Sequence, residues 1–204
     1  LLQHGVSLSD VTQRIRTALD VKSEILPMSD DRVQTRIVTA GGELAFQEYF
    51  VRERWAPEVK RVFFAGIDES KPAPRVLQAI GNAAGIVICP SNPVTSIGPI
   101  LAVPGIRQAL REARGKIVGV SPIIARSAIS GPAHTLMTVN DLEPSVKGVA
   151  EGYADLLDVL MIDREDQYLQ NDIKELGVEP FLANIQMNSL ADKQRLARQV
   201  LAVL

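Results

Sequence analysis

The sequence predicts an α/β fold: a doubly wound, Rossmann-like parallel sheet with a small antiparallel β-hairpin insertion. Three observations carry this expectation. From Ile86 onward, short apolar runs alternate with amphipathic stretches of helical period, the order that parallel strands with crossover helices require. Those apolar runs are continuous and closely connected, as strands buried on both faces are. Upstream, alternating runs at 36–39 and 44–50 surround Ala40, Gly41 and Gly42, which is a hairpin signal. The expected organisation is a single α/β domain over 1–204 with a hairpin-containing sub-lobe at 28–64.

Ser7 or Ser9 caps a first helix whose Val11, Ile15, Ala18 and Leu19 share one face, with Arg14 and Arg16 outside. This is the pattern of a packing helix. The hairpin follows Met28, Ser29, Asp30 and Asp31; its second strand, running to Phe50, puts Gln47 and Tyr49 on one face and Glu48 on the other, because strand side chains alternate. Residues 59–64 read as another strand. Residues 74–84 read as a helix begun by Pro74, with Val76, Leu77 and Ile80 inward. Next come a strand at 86–89, a helix from Pro104 or Gly105 to Arg114, and a strand at 116–120. The loop after it ends in Gly131 and Pro132 before a short helix through Met137. Residues 146–157 are helical in pattern and 158–162 form a third buried strand. A helix to Leu176, a strand at 178–183 and an amphipathic helix at 189–203 complete the alternation.

Totals narrow the function classes. With 204 residues, 46% of them hydrophobic, the chain has room for a sizeable core. A formal net charge of -2 and no arginine-rich cluster argue against a nucleic-acid surface. Cys89 is the sole cysteine, so the chain forms no internal disulfide or thiolate metal cluster. Closing an apolar strand, Cys89 reads as a buried small hydrophobe. His4 and His134 are too few and too far apart in sequence to suggest a zinc site. No apolar run is long enough to cross a bilayer, and the expected location is cytoplasmic.

The most informative stretch is IVICPSNPVTSIGPIL, residues 86–101. Its apolar start stops at Pro90, and Ser91, Asn92, Pro93, Thr95, Ser96 and Gly98 follow. Prolines stiffen the loop, and Gly98 permits close approach. The hydroxyl and amide groups suit phosphate or sugar oxygens at the carboxyl end of a strand, where open α/β sheets bind ligands. The same side chains also commonly satisfy their own backbone. Asp30 and Asp31 form a second candidate: adjacent carboxylates suit Mg²⁺, or equally a solvated, helix-capping turn. Trp55, Phe63 and Phe64 suit stacking on a flat heterocycle, although aromatics near strands usually fill cores.

The segments CPSNP, SIGPIL and VPGIRQAL, with LPMSDD and FQEYFV upstream and VSPII and SGPA downstream, resemble the 2-phospho-L-lactate transferase family of coenzyme F(420) biosynthesis. The resemblance extends over essentially the whole chain. Family members begin with a strand and a GGTGG-type phosphate loop, and LLQHGVSLSDVTQRI resembles an internal family segment. The resemblance therefore implies the C-terminal portion of a longer protein, a piece expected to be inactive alone, with part of the donor and metal sites in the missing loop.

The implied reaction moves a phospholactyl or phosphoenolpyruvyl group from a guanosine diphosphate-linked donor to the ribityl primary alcohol of a deazaflavin, releasing GMP, with Mg²⁺ as cofactor. Such chemistry rests on positioning and charge stabilisation. Ser91, Asn92, Ser96 and Gly98 are then the ligand-cradling residues, and Gln47 and Tyr49 line the cleft. Asp30 is the candidate for catalysis at the attacking hydroxyl and, with Asp31, for the metal. After VSPII, Ala125 and Arg126 stand where a glycine-rich pair is common in the family, so a phosphoglycerate-like donor stays open as well. The alternative is a non-catalytic nucleotide-sugar-binding regulatory protein of similar fold. The sheet edge vacated by the missing strand would be covered by self-association, as a homo-oligomer, most simply a dimer.

Overall fold

Ser7 opens the first helix: its hydroxyl accepts from the Asp10 amide and α1 runs Leu8–Ala18. The structure, a computed structural model, describes residues 1–125, 127–128 and 132–204, the pair 127–128 by backbone alone. Arg126 and Gly131, singled out in the second loop, lie outside the described residues. The expected packing helix forms, but none of α1 is buried and Ile15 and Leu19 are exposed.

The hairpin pairs β1 (Gln34–Thr39) with β2 (Gly42–Ala45), and β3 (Val59–Ala65) adds to the other side of β1. The result is an antiparallel three-stranded sheet in which Ile37 stands opposite Leu44 and Val62. The second strand ends at Ala45, and Glu48–Arg52 forms a π-helical turn instead. Gln47 and Tyr49 therefore do not share a strand face. Gln47 is exposed, while Tyr49 is wholly buried. Helical winding of a segment read as alternating separates the two.

The main sheet follows α2 (Val76–Asn82). It comprises β4 (Gly85–Ile88), β5 (Lys116–Val120), β8 (Val159–Asp163) and β9 (Glu179–Ala183), all parallel, in the order β4-β5-β8-β9. Between β4 and β5 lie α3 (Gly98–Ala102) and α4 (Ile106–Arg111). Between β5 and β8 lie the short pair β6 (Ile123–Ile124) and β7 (Ser127–Ala128), then α5 (Ala133–Val139) and α6 (Val146–Tyr153). The chain ends with α7 (Gln170–Glu175), β9 and α8 (Leu190–Val203). Ser189 closes a capping box with Asp192 at the start of α8.

Alternation along the central strands divides the core between the sheet's two faces. Leu160 and Ile162 join Ile117 in the larger cluster with α6 and α7, while Val159 and Met161 join Val118, Val120, Leu196 and Val200 beneath α8. Helices thus cover both faces, as a doubly wound sheet requires. Because β4 is an edge strand, Val87 and Cys89 are exposed. The expectation of a buried Cys89 fails for that reason: an apolar run reports a strand without reporting its place in the sheet. All four parallel strands deliver their carboxyl ends to one edge, and the loops there build the site.

Candidate functional site

Asn92 organises the first wall of the site. Its Oδ1 accepts from the amides of Val94 (2.9 Å) and Thr95 (3.1 Å), capping a π-helical turn over Pro93–Ile97. Pro93 suits the first position of that turn because it has no amide to leave unpaired. The Asn92 carbonyl accepts from Ser96 and Ile97 as well, at 3.0 and 3.1 Å. With Oδ1 committed to the backbone, Nδ2 is the group Asn92 has left to offer a ligand. Ser91, Thr95 and Ser96 stand beside it, so the wall presents three hydroxyls and one amide.

Gly98 serves the loop rather than the ligand. A Cβ there would lie 2.9 Å from the Pro93 carbonyl oxygen and 3.2 Å from the Phe64 ring. Only glycine lets β3 approach the turn this closely. Phe64 is therefore packing, as aromatics near strands usually are.

Phe46, directly after β2, and Phe50, from the π-helical turn Glu48–Arg52, also line the cavity. Their ring centroids are 5.6 Å apart at 27°, and Phe50 lies 5.1 Å from Trp55 at 33°. The three rings form a ladder whose first two members face the cavity. Tyr49 holds the end of the ladder: its buried hydroxyl donates to the Trp55 carbonyl at 3.3 Å. Arg54 and Trp55 are both left-handed, with φ of 48° and 49°, so this turn needs such a tether. Burial raises the Tyr49 phenol above its ordinary value.

Pro122, Pro132, Ala133 and Met187 complete a cavity of about 290 Å³. These residues come from the loops after β5 and β9 and from the start of α5. No charged side chain stands among the described residues lining it. Two π-helical turns, Glu48–Arg52 and Pro93–Ile97, both contribute lining residues; such turns are frequent at functional sites.

The sequence-predicted residues divide accordingly. Ser91, Asn92 and Ser96 line the cavity; Gly98 supports it from behind, Tyr49 lies in the core and Gln47 lies outside on the surface. Asp30 and Asp31 are elsewhere. Asp30 Oδ1 accepts from the Ser9 amide at 2.7 Å, at the start of α1, and Asp31 Oδ2 accepts from the Lys71 amide at 2.8 Å. Each carboxylate thus orders a different backbone segment. Among the described residues, no group of three or more His, Cys, Asp or Glu is placed to hold a metal. The described residues do not supply a fitted set for the implied magnesium.

The convergence of parallel-strand loops on one edge predicts the loop at 121–131 beside the one at 91–98, and Pro122 lines the cavity accordingly, but sequence reasoning missed Phe46, Phe50, Pro132 and Met187 as cavity residues. The spacing of Phe46 and Phe50 carried a usable signal, since aromatics four apart share a helical face. Nothing local marks Met187, which reaches the cavity only through the sheet order.

Comparisons with known proteins agree with this architecture. Over residues 1–201 the chain matches the family model described as 2-phospho-L-lactate transferase CofD. It is 40% identical over 200 residues to the 2-phospho-L-lactate transferase of Methanosarcina mazei, covering 98% of this chain and 65% of that protein. It is 38% identical over 206 residues to the phosphoenolpyruvate transferase of Streptomyces griseus, covering 98% and 65% respectively. The chain thus spans about 65% of the length of these curated relatives. Among solved structures it is similar in fold to a Bacillus halodurans protein of the UPF0052 family. Two crystal structures of that protein superpose with TM-scores of 0.66 and 0.64 at 18% identity, covering 96% and 93% of this chain and 67% and 64% of theirs. No helix among the described residues is long and apolar enough to cross a membrane.

Proposed function

The chain belongs to the 2-phospho-L-lactate transferase CofD family, and from that membership we propose that the protein moves a phospholactyl or phosphoenolpyruvyl group from a guanosine diphosphate-linked donor to the primary ribityl alcohol of a deazaflavin. The observation that supports this reading is the cavity that pairs the aromatic ladder with the hydroxyl loop and that no charged side chain lines among the described residues. A diphosphate needs cations or converging backbone amides. A neutral tricycle with a polyol tail needs flat aromatic faces and neutral hydrogen-bonding groups, and this cavity has both. We therefore assign the cavity to the acceptor: Phe46 and Phe50 against the heterocycle, and Ser91, Asn92 and Ser96 along the ribityl chain.

In the proposed step the terminal alcohol oxygen attacks the phosphorus that is esterified to the lactyl or enolpyruvyl oxygen. The bond from that phosphorus to the GMP oxygen breaks, and its electron pair leaves with GMP. The alcohol proton passes to a base, and no described residue lining the cavity is a carboxylate or histidine. The contribution of these residues is to fix the alcohol in line and exclude bulk water, which effective molarities show to be a large part of such catalysis. Homo-oligomerisation stays part of the proposal; β4 presents an edge that is unpaired among the described residues.

The test is a mass-spectrometric assay of the full-length protein with Mg²⁺, the deazaflavin alcohol and guanosine-linked donors, scoring GMP and acceptor mass together. An adduct with equimolar GMP is the expected result, and the mass increment names the transferred group. Binding of donor or acceptor without an adduct would favour the regulatory nucleotide-sugar-binding alternative.

A further inference from the structure

Two buried carboxylates at the carboxyl end of β8, Asp163 and Asp166, lie outside the cavity yet hold two of its walls. Asp166 has no exposed surface, and both its oxygens accept from the Ala125 amide, at 3.2 and 3.0 Å. Asp163, 6% exposed, accepts from the Ile185 amide at 3.1 Å, two residues before the cavity residue Met187.

The segment from Ser121 to Ala125 is thereby strapped to β8 and its following turn at both ends. The Ser121 amide donates to the Met161 carbonyl at 3.0 Å, and the Ala125 amide donates to Asp166. Between the straps the Ser121 hydroxyl accepts from the Ile123 amide and donates to the Ile123 carbonyl. Pro122 sits within this span and faces the cavity. Ala125 carries a φ of 49°, a conformation that a residue with a Cβ adopts only when neighbouring contacts hold it.

We infer that Asp166 is a positioning residue: by holding Ala125 it fixes the Pro122 wall and so the fit of the ligand in the cavity. Keeping a carboxylate fully buried beside Asp163 and Glu165 is costly for stability. Burial first, then those two neighbouring acids, raise the Asp166 carboxyl above its ordinary value, while the Ala125 hydrogen bond lowers it.

The inference rests on the acceptor reading only for its affinity readout, and the second readout is independent of it. In the full-length protein, Asp166→Ala and Asp166→Asn are compared by hydrogen exchange of the amides at 121–125 and by calorimetric affinity for the deazaflavin alcohol. Asp166→Ala is expected to exchange faster at those amides and to bind about tenfold more weakly, the scale of one lost hydrogen bond. Asp166→Asn keeps an acceptor for Ala125 and is expected to restore both. Should Asp166→Ala fold poorly, the same change is made with Ala125→Gly, where the left-handed backbone has no Cβ to strain it. Wild-type exchange or wild-type affinity in the alanine variant overturns the inference, as does an asparagine variant no better than alanine. If the unaltered protein does not bind the alcohol, the acceptor reading fails, and the exchange comparison alone decides the role of Asp166.

Discussion

The Tyr49 hydroxyl donates to the carbonyl of Trp55 at 3.3 Å, closing a loop whose last two residues are left-handed. Through this bond a fully buried phenol sets the far end of the aromatic ladder that reaches the cavity. Tyr49→Phe keeps the packing and removes the donor. It should lower stability by about 1 kcal/mol, the usual net worth of one hydrogen bond, and alter the fluorescence of Trp55. Unchanged emission and unchanged thermal midpoint would show that the tether contributes nothing.

Asn92 performs two tasks that two substitutions separate. Asn92→Ala removes the cap from the turn at Pro93–Ile97 and should cost about 1 kcal/mol. It should also weaken acceptor binding. Asn92→Asp keeps an oxygen for the amides of Val94 and Thr95 but replaces the Nδ2 donor by an acceptor. The aspartate variant should regain the melting temperature without regaining the affinity. Recovery of both would assign Asn92 to the loop alone.

Asp30 offers a direct test of the metal expectation. Its carboxylate accepts from the Ser9 amide at the start of α1, so Asp30→Ala should cost about 1 kcal/mol or less, as lost caps do. Half-maximal activation of the full-length protein by Mg²⁺ should not move. A tenfold rise in the Mg²⁺ required would return Asp30 to the metal site.

Two acids impose opposite pH dependences on stability. Hydrogen bonds and charge from Arg107 and Arg111 hold Asp155 down to about 2. A depressed carboxyl adds stability that is present above its unfolded value and is lost as pH falls from about 4 toward about 2. Asp166 is shifted upward by its burial. Its contribution is favourable at low pH and is lost as pH rises through its folded value. Thermal melts from pH 2 to pH 7 should therefore show Asp155→Asn converging on wild type in acid, and Asp166→Asn gaining on wild type toward neutrality. Parallel curves for wild type and variants would contradict both assignments.

Local chemistry made much of this protein legible in its sequence. Continuous apolar runs marked β4, β5, β8 and β9, and Ser7 and Ser189 marked helix starts at α1 and α8. The polar loop after β4 could be identified as a cavity wall because strand-end loops of parallel sheets converge on one edge. Hydrophobic period reports the geometry of a few adjacent residues. Tertiary structure alone decided the rest. The edge position of β4 exposed Cys89, which a buried strand would have hidden. Helical winding after Ala45 sent Tyr49 into the core and brought Phe46 and Phe50 over the loop. The sheet order carried Met187 to the cavity, and packing chose, within two loops that parallel strands already bring to one edge, the specific pairing of Asp166 with the Ala125 amide, 41 residues away. Those meetings depend on which strands neighbour one another and on packing among segments remote in sequence, and a residue's immediate neighbours carry no record of either.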